Sequence, residues 1–98
     1  MNKSEVANEI TDLLRVPSVH FSTGSTEPKE LFLLISDSLG LGIEPILPKP
    51  LMARRIVESS GLSWLTDYES TGGTVTLKGL QAVKSSVEYY LANRPELS

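Results

Sequence analysis

The side chains that could do chemistry in this chain are few. His20 is the single histidine and there is no cysteine, so no imidazole–thiolate set exists to complete a typical zinc site. A lone histidine beside Phe21 in a polar loop reads as structural or exposed rather than catalytic. The twelve Asp and Glu residues fall mainly on what read as solvent faces of helices, and no Asp is followed by a spaced Glu-x-Lys of the metal-dependent nuclease kind. Gly40-x-Gly42 follows a helix rather than a strand, the wrong context for a nucleotide-binding loop. Ser22-Thr23-Gly24 and Ser70-Thr71-Gly72 read as turn chemistry. The expectation is a protein that is not an enzyme and uses no metal or cofactor.

The cations are more informative. Arg54 and Arg55 are adjacent and Lys49 lies just upstream of them. Net charge is −3 over 98 residues, which argues against nonspecific binding of polyanions. Its distribution is uneven, however. Residues 1–46 hold three Lys or Arg against seven Asp or Glu, whereas residues 47–84 hold five against three. An acidic protein with that asymmetry can carry one basic face. Arginine suits such a face because its planar fork makes paired hydrogen bonds to a guanine edge or a phosphate.

The elements that must position these residues follow from periodicity. Residues 3–15 form the first expected helix, with Asn2 and Glu5 spaced as a capping box and Val6, Ile10, Leu13 and Leu14 on one stripe. Pro17 ends it. A polar loop covers 18–26. A second helix, with Thr26 as its N-cap, runs to about Leu39, with Leu31, Leu34, Ile35 and Leu39 inward and Gly40 as its stop. The connector from Gly42 to Pro50 contains three prolines. The third helix starts near Pro50 and ends at Gly61, burying Met52, Ala53, Ile56, Val57 and Ser60 and turning Arg54, Arg55 and Glu58 outward.

Beyond Leu62 the pattern changes. Ser63 to Asp67, with Trp64, reads as a short strand, Tyr68 to Gly73 as a glycine-tipped turn, and β-branched Thr74 to Leu77 as a second strand. A last helix over about 78–92 turns Leu80, Val83, Val87, Tyr90 and Leu91 inward, and Pro95 closes it. At a spacing of 21 residues, Leu31, Ile35, Gly40 and Leu41 correspond to Met52, Ile56, Gly61 and Leu62. That echo is too short for a solenoid, which needs about three repeats.

The run Gly61-Leu62-x-Trp64, followed by Ser70-Thr71-Gly72-Gly73-Thr74-Val75-Thr76-Leu77-Lys78-Gly79-Leu80, resembles the end of many winged-helix domains. It is similar in particular to DNA-recognition domains attached to bacterial restriction endonucleases and related defence nucleases. The likeness spans about residues 28–91. It departs from the pattern in the long proline-containing connector ahead of the third helix, where a helix-turn-helix has a turn of three to four residues. The resemblance implies a mainly α fold with a small antiparallel β-hairpin (α+β, winged-helix-like). It implies duplex DNA as partner, with Lys49, Arg54 and Arg55 at the groove. The wing tip Thr71, Gly72, Gly73 and Thr74 would lie along phosphates, with Lys78 as an added phosphate contact.

The chain is accordingly read as one domain, 1–98, either whole or cut from a longer nuclease. No apolar run approaches the roughly 20 residues that span a bilayer, and the absence of cysteine fits a cytoplasmic setting. The competing reading is a protein–protein interaction module, with Leu33 or Tyr89 contributing to an exposed apolar patch.

Overall fold

The computed structural model describes residues 2–21 and 27–93. Among these residues four α-helices follow one another: α1 (Lys3–Leu14), α2 (Lys29–Leu39), α3 (Lys49–Ser59) and α4 (Leu77–Ala92), with one 3-10 turn at Thr66–Tyr68 before the last. The longest, α4, is the centre of the packing. It lies against α1, α3 and the 3-10 turn, while α2 packs on α3 and on α1.

Each helix has a local cause. The Asn2 side chain accepts from the Glu5 N–H and the Glu5 carboxylate accepts from the Asn2 N–H, a complete capping box. The α1 helix stops at Arg15, which takes a left-handed conformation at φ 58°, two residues before Pro17. Helix α2 begins after Pro28 rather than at Thr26, which lies outside the described residues. It ends at Gly40, φ 67°, where the Ser36 hydroxyl accepts from the Ile43 N–H at 2.9 Å. Prolines frame the start of α3: Pro48 precedes it and Pro50 occupies its first turn, where a missing N–H costs nothing. Its C-cap is Ser60, with Gly61 following at φ 91°. The 21-residue echo is therefore a likeness of helix ends, closed by Gly40 in one case and by Ser60 in the other. The expected closing role of Pro95 also falls outside the described residues.

The core is one cluster. Val6, Ile10, Leu31, Ile35, Met52, Ala53, Ile56, Val57, Leu80, Val83 and Val87 are buried as their spacing predicts. Leu13, Leu14, Leu34, Leu39 and Leu91 pack against its margin. Phe32, Val19 and Val75 are also buried, though helical periodicity does not single them out. Two serines let α3 and α4 approach closely: Ser60 and Ser86 are both buried, with their hydroxyl oxygens 3.0 Å apart.

The expected wing is absent. Among the described residues there is no strand, only one isolated antiparallel bridge between Glu69 and Val75. The chain is therefore helical rather than α+β, and its last third is not a winged-helix hairpin. The physical reason lies on both sides of the bridge. Residues 66–68 coil into the 3-10 turn, closed by Tyr68 N–H to the Leu65 carbonyl at 3.0 Å, so the first strand has no length to pair. On the other side, Thr76 leaves the ladder at once. Its N–H to the Tyr68 carbonyl at 3.0 Å, with Ser70 N–H to the Thr74 carbonyl at 2.9 Å, is the last bond of the bridge, and its hydroxyl already accepts from the Gly79 N–H to cap α4. A cap and a continued strand need incompatible backbone directions, and the cap wins.

Candidate functional site

The outward side of α3 carries Arg54, Arg55 and Glu58, all exposed, because Met52, Ala53, Ile56 and Val57 take the inward side. Arg54 Nε donates to Glu58 Oε2 at 3.1 Å across one helical turn, both side chains about half exposed. A pair of this kind contributes only about 0.3–0.5 kcal/mol, so Arg54 exchanges its partner readily. No ion pair engages Arg55 among the described residues.

The turn after the 3-10 segment comes to lie beside Arg54. Arg54, Trp64, Thr66, Glu69, Ser70 and Thr71 line a shallow concavity of about 530 Å³. Trp64 forms its wall. The indole is half-buried, donates from Nε1 to Glu69 Oε2 at 2.7 Å, and meets the Tyr68 ring edge-on at 5.2 Å between centroids. Gly73 stands at φ +80°, a conformation glycine adopts freely, and it lets the chain reverse between Ser70 and Thr74.

Of the residues expected to contact DNA, then, Arg54 and Thr71 share one groove. Arg55 is the neighbour of Arg54 on the helix, and Gly72 and Gly73 are exposed at the tip of the turn. The other three are placed differently. Lys49 turns inward and donates from Nζ to the Glu27 carbonyl at 2.9 Å, partly buried. Thr74 is half-buried, with its hydroxyl 2.7 Å from that of Ser70, closing the turn on itself. Lys78 belongs to another surface. It lines a concavity of about 350 Å³ with Leu65, Asp67, Tyr68, Gln81, Ala82 and Ser85, and its ammonium lies 3.9 Å from Asp67 Oδ2.

The groove side is close to neutral: Arg54 and Arg55 are balanced by Glu58 and Glu69. Sequence reasoning did not single out its apolar component. Ile46 is 84% exposed, Leu51 40% and Leu62 41%, and these three bracket α3 at its two ends, whereas the exposed Leu65 lines the concavity of Lys78. The residues named for an interaction reading divide, since Leu33 packs at the core margin while Tyr89 is exposed.

His20 is exposed. Among the described residues no group of three His, Cys, Asp or Glu could hold a metal ion, and no helix is long and apolar enough to cross a membrane. Comparison with protein-family models, with curated proteins and with solved structures finds no match for this chain.

Proposed function

We propose that this chain is a non-catalytic interaction module that binds another protein through the outward side of α3 and the segment that follows it. The observation that carries the reading is the exposure of Ile46, Leu51 and Leu62 at the two ends of a face whose charges cancel. A duplex needs net positive charge, since most of its affinity comes from phosphate neutralisation. A protein partner needs apolar anchors with a polar rim that fixes register. This face has the second composition.

Duplex DNA is the second reading. It is supported by the convergence of Arg54 and Thr71 on one groove with Arg55 beside them, and the Arg54–Glu58 pair is weak enough to yield to phosphate.

One pair of experiments separates the two. A photoreactive residue replacing Leu62, in the cell that makes the protein, is expected to trap a discrete protein, and Leu51→Glu is expected to abolish that product. Duplex added to the labelled chain at low salt is expected to leave the resonances of 49–58 and 71–78 in place. If those resonances move, return with added salt and no longer respond in the Arg54→Ala/Arg55→Ala variant, the protein reading fails and DNA is the partner.

A further inference from the structure

The outward line of α3 carries a spacing that is the same read from either end, with leucine answering leucine and each charge answering its opposite. Leu51, Arg55 and Glu58 lie at spacings of four and three, one above another on the exposed side, and Leu62 lies just past the helix end. Turned about the point midway between Ile56 and Val57, Leu51 exchanges with Leu62, Arg55 with Glu58, and Arg54 with Ser59. A twofold axis perpendicular to the helix, passing outside its exposed side at the level of that point, performs the same exchange between two copies of the helix packed antiparallel. In a symmetric dimer one patch contacts itself in this way, residue i meeting j while j meets i.

We infer that the occupant of this face is a second copy of the chain, joined through α3 in an antiparallel, twofold-symmetric dimer. The inference rests on the reading of this face as a protein-binding surface and names its partner. Charge complementarity supports it. Arg55, without an ion pair among the described residues, meets the Glu58 carboxylate of the other copy twice, once on each side of the axis. That carboxylate accepts from Arg54 through Oε2, and among the described residues Oε1 has no hydrogen bond and is left to accept. The apolar residues then fall at the ends: Leu51 of each copy faces Leu62 of the other, with Ile46 beyond. The antiparallel direction also sets the two helix dipoles against each other favourably. A parallel pairing would place Arg55 on Arg55 and Glu58 on Glu58, a like-charge arrangement that opposes association.

The test is sedimentation of the full chain over a concentration series up to about 1 mM, a range that resolves weak self-association. The mass is expected to rise from the 10.7 kDa of one chain toward twice that value. Arg55→Glu and Glu58→Arg are each expected to weaken association about tenfold or more by setting like charges across the axis. The double variant restores the opposite-charge pairing with its signs exchanged and should recover to within about threefold of the parent. Helical circular dichroism monitors the fold of each variant. A chain that stays at 10.7 kDa throughout, or a double variant weaker than either single one, overturns the inference. The photoreactive residue at position 62 separates this failure from that of the broader reading. A product of two identical chains supports the dimer. A product with an unlike protein alone overturns the dimer and leaves the interaction surface standing, and no protein product at all overturns both.

Discussion

The carboxylate of Glu27 accepts a hydrogen bond from the backbone N–H of Val75, 48 residues further along the chain. Both residues are fully buried. Glu27 stands just ahead of α2, and its other contacts reach two further elements. Its Oε2 lies 3.5 Å from the Lys3 ammonium in α1, and its carbonyl accepts from Lys49 at the start of α3. One residue therefore ties α1, α3 and the Glu69–Val75 bridge to the entry of α2. Oε2 accepts no hydrogen bond from the described residues, so Lys3 balances it by charge rather than by hydrogen-bond geometry. A buried carboxylate is costly unless paired, which makes these contacts necessary to one another.

Glu27→Ala is expected to lower stability by about 2–4 kcal/mol, because it leaves the Val75 N–H buried without an acceptor and strips Lys3 of its counter-charge. Glu27→Gln should cost less, since the amide oxygen still accepts from Val75 and no charge remains buried. Urea denaturation of the two variants checks the order; an alanine variant as stable as the parent would remove Glu27 from this role.

Gly79 sits in the first turn of α4 where the backbone of Tyr68 crosses it. A Cβ built there falls on the Tyr68 carbonyl oxygen and on Val75 Cγ1. Alanine would favour the helix by up to about 1 kcal/mol on propensity alone, yet the crowding costs about 2 kcal/mol or more. Gly79→Ala is thus expected to melt at a lower temperature than the parent, by calorimetry, with loss of the Trp64 near-ultraviolet signal as the 3-10 turn is displaced.

Lys84 donates to Glu9 Oε1 at 2.8 Å and ties α4 to α1. Its pKa is raised above the ordinary lysine value, first by the hydrogen bond to Glu9, against a lowering by burial, and then by the charges of Glu9 and Glu88. For a lysine whose pKa rises on folding, the stabilisation is fully present below the unfolded value, about 10.4. It is lost as pH climbs through the raised folded value. Glu9→Gln is expected to melt below the parent at pH 7, and the gap should close in strongly alkaline solution. A gap that widens there would contradict the pairing.

Arg54→Ala/Arg55→Ala should leave stability within about 0.5 kcal/mol of the parent, because both side chains are exposed and the one ion pair between Arg54 and Glu58 is weak. Thermal melting checks this. A large loss would mean that the pair supports the fold and is no recognition feature.

Much of the scaffold was legible in the residues. Apolar side chains at three- and four-residue spacing located all four helices and most of the core, since a helix in water must bury one stripe whatever its neighbours are. The Asn2–Glu5 box and the Gly40 stop were equally readable, being local contacts closed within a single turn. The site was legible only in part. Arg54 and Arg55 were placed outward correctly by the inward stripe of α3, whereas Lys49 was not, because its partner Glu27 lies 22 residues earlier in sequence.

What the sequence alone determined is therefore everything that depends on spacing within one element: the helices, their inward stripes, and the caps at Asn2 and Gly40. Only the tertiary structure decided the fate of residues 63–77. Their β-branched composition suits a strand, but a strand is stable only where a partner pairs along its length. Here Thr76 caps α4, and the Tyr68 backbone that packs against Gly79 leaves room for one bridge alone. The burial of Glu27 was decided in the same way, by groups that are distant along the chain and adjacent only once the helices have packed.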